Sequence, residues 1–187
     1  MWAYVKDGSI VQTNTSQTRL VIRGTEFPAK YANEWTVQQK KDYGVYEVVQ
    51  DNTNLKDGAY YNNGASTYTF ASDTVTLTYA SATAKELDDV TVDGITTLGL
   101  KTQHKATIKS QAHSSLSDTD WYASRKAETS TALPSAVATY RAAVRTKEND
   151  MKTLIGNAAD VDALAALYVY SGDPLTRPLG DWPDPVS

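Results

Sequence analysis

Cysteine is absent from this sequence and long apolar runs are missing, so several classes of site and location are excluded at the outset. With no cysteine, the chain has no disulfide, no thiolate metal ligand and no cysteine nucleophile. No run approaches the roughly 18–20 apolar residues that span a bilayer. The first residues also lack the basic and apolar regions of a signal peptide. We therefore expect neither a membrane protein nor export by the usual route.

Basic residues are also outnumbered by acidic ones. The formal net charge is -4 and the pI is near 5.1, so no general attraction to phosphate backbones or anionic lipid is expected. The sequence therefore argues against nucleic acid and membrane surfaces as partners.

What is present is an ordinary globular composition with unusual aromatic usage. The 187 residues are 41% hydrophobic and 21% charged, which is far from the composition of disordered chains. There are 12 Tyr and 4 Trp but only 2 Phe. Aromatic rings that carry a polar group suit partly hydrated surfaces and interfaces. The enrichment in Tyr and Trp is therefore a weak indication that the chain binds a partner protein.

Residues 1–83 predict an antiparallel β-rich module, because short apolar runs rich in Thr, Val and Tyr alternate with turn signals. A first hairpin is predicted from 2–5 and 10–13, turning at Asp7-Gly8, which supplies the positive φ that tight hairpins need. A short helical turn is predicted over 34–40, after a loop at 27–31. Further strands are predicted at 19–23, 43–49, 67–70 and 74–79, with Ser72-Asp73 as the turn between the last two. In the last strand, Val75, Leu77 and Tyr79 share one face that should be buried.

Residues 84–170 predict a helical module, since the composition changes to the better helix formers. Asp118 is expected to cap the second long helix, and Asp160 the last short one. After it, 171–187 predicts an extended Pro-rich tail, in which Trp182 either folds back or docks on a neighbour. The predicted helices cover 84–89, 98–114, 118–128, 134–155 and 160–168, with a loop at 91–96. The fold class is therefore α+β.

One helix carries an apolar stripe close to heptad spacing. Two interpretations fit it: a helix lying on the protein's own core, which helix statistics favour, or a short coiled-coil pairing. The stripe consists of Val137, Tyr140, Val144, Met151 and Ile155.

The search for catalytic and metal chemistry gives no candidate constellation. His104 and His113 are nine residues apart, which on a helix separates them by about 13–14 Å on different faces. Asp118 and Asp120 lack the regular oxygen ligands and turn glycine of a cation loop, and helix capping explains them. We predict no catalytic, cofactor-binding or metal site and a protein that is not an enzyme.

Aromatic and guanidinium side chains remain as the candidates for a framework or a protein contact. A structural interpretation places Trp121 and Tyr140 in the core of an α-hairpin and pairs the arginines with Glu128 or Asp120. That role is favoured over a dedicated binding surface. The candidate residues are Trp121, Tyr122, Arg125, Glu128, Tyr140, Arg141, Arg145 and Trp182.

The stretch from 116 to 145 resembles the C-terminal motif of phage tail-fibre assembly proteins. That motif runs as Leu, a short gap, Thr-Asp-Trp, an Arg four residues on, a Glu, a Pro, and finally Tyr-Arg with a second Arg after three residues. The matching elements here are Leu116, Thr119-Asp120-Trp121, Arg125, Glu128, Pro134, Tyr140-Arg141 and Arg145.

A looser resemblance lies in the first half. The runs Gly-Val-Tyr-Glu-Val-Val at 44–49 and Thr-Val-Thr-Leu-Thr-Tyr at 74–79 are similar to strands that precede this motif in many phage tail proteins. Glu47 stands where those proteins have proline.

The resemblance implies a non-enzymatic phage tail protein without a cofactor. Such proteins either help the receptor-binding tail fibre to assemble or attach, or are themselves structural components of the fibre, adaptor or baseplate, and both interpretations stay open. The expected partners are the fibre or other tail proteins. The expected location is the virion tail, or the host cytoplasm during assembly. Tyr-rich strands and a Trp-bearing tail further predict a homo-oligomer.

Overall fold

The computed structural model describes residues 1–14, 20–27 and 34–186, and it divides into two compact units, Met1–Thr83 and Ala84–Ser187. Strands make up 26% of the structure and helices 37%, with the strands concentrated in the first half. The predicted α+β class is confirmed. No helix among the described residues has both the length and the apolar character that a membrane span requires.

The first unit is built on a five-stranded sheet with the order β2-β1-β5-β8-β7. Neighbours are antiparallel except β5 and β8, which run parallel. The half predicted as antiparallel and β-rich therefore contains one parallel pair, which requires a long crossover that turn signals do not reveal. The strands are β1 (Trp2–Lys6), β2 (Ser9–Asn14), β5 (Val45–Gln50), β7 (Ser66–Ala71) and β8 (Thr74–Tyr79).

Two tight turns set the hairpins of this sheet. Asp7 and Gly8 both have positive φ, and so do Ser72 and Asp73 between β7 and β8, which is the backbone that two-residue hairpin loops demand. Both turns lie where the sequence predicts them. The register from the second turn is continuous along β7 and β8, whereas the pairing of β1 with β2 shifts between Tyr4 and Val5.

Each face of the sheet carries a separate apolar cluster. Trp2 and Tyr4 lie on one face with Val45, and the neighbouring Ala3 and Val5 lie on the other with Val75. Val75 and Leu77 are buried as predicted, whereas Tyr79 is only half-buried. The edge strands β2 and β7 approach each other, so the sheet is curled around the second cluster.

Short elements cover the first of these clusters. The hairpin of β3 (Leu20–Ile22) and β4 (Thr25–Phe27) contributes Ile22 and Phe27 to it. Helix α1 (Val37–Asp42) is capped by Thr36, which forms a capping box with Gln39.

In the strand predicted at 19–23, Ile22 is buried but Val21 is exposed. Residues 15–19 and 28–33 lie outside the described residues, and with them most of the loop predicted at 27–31. Two further short strands are β6 (Tyr61–Asn62) and β9 (Thr83–Ala84).

The second unit begins with two departures from the predicted elements. Residues 85–89 are not helical, because the carbonyls of Glu86 and Leu87 accept the first amides of the next helix and Asp89 accepts the Gly99 amide. The loop predicted at 91–96 is a hairpin of β10 (Val90–Val92) and β11 (Ile95–Thr97) around Asp93-Gly94. Capping of a neighbouring helix thus overrides local helix propensity.

Four helices follow: α2 (Leu100–Ser117), α3 (Asp120–Thr129), α4 (Ser135–Asn157) and α5 (Val161–Ala166). All five residues of the heptad-like stripe on α4 are buried in the chain, so the interpretation in which α4 lies on its own core holds. Asp160 caps α5 by accepting the Ala163 amide, as predicted.

Residues 171–186 contain no helix or strand, but they are not simply the extended tail that was predicted, because Ser171 and Thr176 form an isolated antiparallel bridge. The segment also contacts the helices. The Leu179 amide donates to the Leu167 carbonyl, and the Leu179 side chain is buried. Trp182 and Val186 pack on the cluster of Ala112, Tyr140 and Val144. Of the two arrangements considered for Trp182, the structure shows the one that folds back.

Candidate functional site: the α2–α4 junction and the α3 aromatic face

The two halves of the motif meet where α2 ends against α4. The guanidinium of Arg141 donates to the Leu116 carbonyl at 3.0 Å, to the Thr119 hydroxyl at 2.7 Å and to Asp120 at 2.9 Å. Its side chain is only 7% exposed, against 51% for Asp120. The last carbonyls of a helix have no partner within the helix, so the bond from Arg141 to Leu116 caps α2. The ion pair with Asp120 neutralises the charge of Arg141. We call this set, with Tyr140, the α2–α4 junction.

Tyr140 completes the junction. Its hydroxyl donates to the Ser115 carbonyl at 3.0 Å while its ring is buried beside Ala112 and Val144. A second C-terminal carbonyl of α2 is thereby satisfied, and the ring contributes apolar contact. Tyr140 and Arg141 together fix the crossing of α4 over the end of α2.

The predicted capping role of Asp118 is corrected. Asp118 is the residue that follows the last turn of α2, and the residue before α3 is Thr119, which makes no side-chain cap bond. The Thr119 hydroxyl instead donates to the Leu116 carbonyl at 2.8 Å and accepts from Arg141. The long-range bond to Arg141 cannot be inferred from the local sequence pattern, which is why the prediction failed.

The expectation that Trp121 lies in the core is also wrong. Helix α3 has no buried residue, and Trp121 is 52% exposed. The Arg125 guanidinium stacks over Trp121 at 4.9 Å and over Tyr122 at 5.3 Å, and the two rings are 3.8 Å apart. Glu128 and Arg145 are exposed as well. We call the surface formed by Trp121, Tyr122 and Arg125 the α3 aromatic face.

Arg125 is held on this face by the rings. Its Nε atom is covered and has no hydrogen-bond partner within the described residues. A guanidinium stacked on aromatic rings loses little further freedom when a partner binds it, and Trp, Tyr and Arg are the side chains most enriched at binding hot spots. The α3 aromatic face therefore has the chemistry of a protein contact.

The remaining candidates for chemistry have structural partners. The Nδ1 atom of His104 and the Tyr168 hydroxyl share a hydrogen bond at 2.7 Å, and partial burial lowers the pKa of His104. His113 is exposed. Over the described ranges, no group of three His, Asp or Glu side chains is placed to hold a metal ion.

A small cavity in the first unit is lined by charged groups that neutralise each other. It measures 190 Å³ between α1, β5 and β8. Lys40 pairs with Glu47 at 2.5 Å, and Lys41 pairs with Asp73. These bonds lower the pKa of both carboxylates. Since both cations are paired, the cavity is not an anion site.

Comparison of the chain with models of known families, with curated proteins and with solved structures gives no significant match.

Proposed function

We propose that this protein is a non-enzymatic bacteriophage tail protein that associates with the receptor-binding tail fibre and acts in its assembly or attachment. The proposal rests on the resemblance of 116–145 to the tail-fibre assembly motif. The observation that supports it most is the bond between Asp120 and Arg141, which joins the two separated halves of that motif in one structural unit.

The α3 aromatic face is the proposed contact with the fibre. Trp121 and Arg125 belong to the motif, yet they are not needed to fill a core, because α3 buries none of its residues. Motif residues that remain on the surface are better accounted for by a partner than by folding.

Coexpression with the tail-fibre protein of the same phage tests this proposal. We expect the wild-type chain to raise the yield of soluble, trimeric fibre or to copurify with it, and Trp121→Ala to lose this effect while keeping its circular dichroism spectrum. Leu154→Ala is the matched control, since Leu154 is an exposed apolar residue on α4. Equal activity of Trp121→Ala and wild type would remove the α3 aromatic face from the proposal.

The second candidate, a structural component of the fibre, adaptor or baseplate, is separated by the composition of purified particles. Stoichiometric peptides of this chain in the virion would place it there permanently. Their absence, together with an effect on fibre yield, would leave a transient assembly role in the host cytoplasm.

A further inference from the structure

A second cavity lies beside the junction, within the helical unit. It measures 370 Å³ and is bounded by the last turn of α2, the buried ring of Tyr140 and the returning segment around Trp182. Pockets for small ligands start at about 300 Å³, so the space suits a single long side chain.

The charge of this cavity has one sign. Asp118 and Asp184 both line it, no basic residue does, and neither carboxylate forms an ion pair with any described residue. Arg141 bonds the lining residue Thr119 from outside the cavity, but its charge is already paired with Asp120. The cavity therefore favours a positively charged occupant.

The C-terminal end of α2 adds to this preference. Ser114 and Ser115, in the last turn of the 18-residue helix, line the cavity. The end of a helix carries about half a negative charge, which stabilises cations within about one turn. Carboxylates and helix dipole thus act in the same direction.

Two aromatic rings, Tyr140 and Trp182, line the cavity together with Pro183, Pro185 and Val186. Trp182 donates its indole N–H to Gln111 at 3.2 Å, which fixes the plane of its ring, and Tyr140 is held by its bond to the Ser115 carbonyl. A guanidinium is planar, stacks on aromatic faces and bonds carboxylates through several N–H groups, whereas an ammonium is a compact, strongly hydrated charge.

We infer that this cavity is a binding site for an arginine side chain presented by a partner protein. The site is distinct from the α3 aromatic face, and the inference does not rest on the tail-fibre assignment.

Titration of the full chain with N-acetyl-arginine methylamide, followed by NMR at the Trp182 indole N–H, tests the inference. Trp182→Phe assigns that resonance. We expect a saturable shift that weakens with added salt. The isosteric, uncharged N-acetyl-citrulline methylamide is expected to bind at least tenfold more weakly, and so is N-acetyl-lysine methylamide.

Substitution of the two carboxylates supplies the structural control. Asp118→Asn with Asp184→Asn is expected to weaken binding of the arginine probe at least tenfold, while Asp150→Asn, an exposed carboxylate on α4, leaves it unchanged. Equal binding of the citrulline or lysine probe, or an unaltered double variant, would overturn the inference. Because the readout uses the isolated protein, failure of fibre coexpression would not affect it, and failure of the titration would not affect the fibre proposal.

Discussion

Asp120 and Trp121 are neighbours in the sequence, yet they belong to two regions with different roles. Asp120 bonds the buried Arg141 and takes part in the α2–α4 junction, whereas Trp121 is half exposed and stacks with Tyr122 and Arg125 of its own helix. The comparison shows that one short motif can combine residues that hold two helices together with residues that remain available to a partner. Stability measurements should respond to the first group, and binding measurements to the second.

Removing the guanidinium of Arg141 should have the largest effect on stability. Arg141→Met keeps the buried aliphatic stem but removes the cation that donates to the Thr119 hydroxyl and pairs with Asp120. The Leu116 carbonyl loses one donor and keeps those from Thr119. Bonds to charged groups each contribute about 1.5–3 kcal/mol, so we expect a loss of about 2–4 kcal/mol in the free energy of unfolding, measured by urea denaturation. Arg145→Met, one turn later and exposed, should change it by less than about 0.5 kcal/mol. Equal effects of the two substitutions would contradict the junction.

Tyr140→Phe should have a smaller effect on the same measurement. It removes only the bond to the Ser115 carbonyl and keeps the ring, so we expect a loss of about 1 kcal/mol. Tyr122→Phe makes the same chemical change on the α3 aromatic face and should have no measurable effect. A larger cost at Tyr122 than at Tyr140 would reverse the division between the two regions.

The dependence of stability on pH tests a third contact of α2, the hydrogen bond between His104 and Tyr168. Partial burial places the pKa of His104 below its ordinary 6.5 in the folded chain. The unfolded chain therefore binds the proton first, and the free energy of unfolding falls as the pH drops below 6.5 toward the folded pKa. We expect His104→Gln to flatten the stability profile in this window. His113→Gln, on the same helix but exposed, is the matched control for this slope. A slope that is flattened by His113→Gln and not by His104→Gln would contradict the prediction.

The smallest effect on stability is expected at Trp121. Because its side chain is half exposed on a helix without buried residues, Trp121→Ala should change the thermal midpoint by less than about 2 °C. A destabilisation comparable to that of Arg141→Met would show that the α3 aromatic face is part of the framework rather than a free surface.

Local signals in the sequence were sufficient for the two hairpins of the five-stranded sheet and for the cap of α5 at Asp160. The turns at Asp7-Gly8 and Ser72-Asp73 depend on backbone preferences of adjacent residues, and the stripe of α4 depends on helical periodicity. Both kinds of signal are complete within one short segment, so the predicted elements match the structure there.

Predictions failed where a distant group decides the outcome. Residues 85–89 are not helical because the carbonyls of Glu86 and Leu87 accept the first amides of α2. Thr119 bonds Arg141, which lies far along the chain. Periodicity also could not show that α3 buries none of its residues, Trp121 included. The cavity with Asp118 and Asp184 likewise depends on the return of the C-terminal segment, for which no sequence pattern exists.

The parallel pairing of β5 with β8 has a consequence for the order of folding. The hairpin of β1 and β2 can close as soon as it is synthesised, but β1 then keeps one bare edge until β5 arrives. The parallel partner β8 lies beyond β6, β7 and their turns in the chain, so its pairing with β5 closes a long intervening segment. Since such non-local pairings are slow and leave strand edges open, the β-rich unit should be the slower-folding and more chaperone-dependent half of newly made chains.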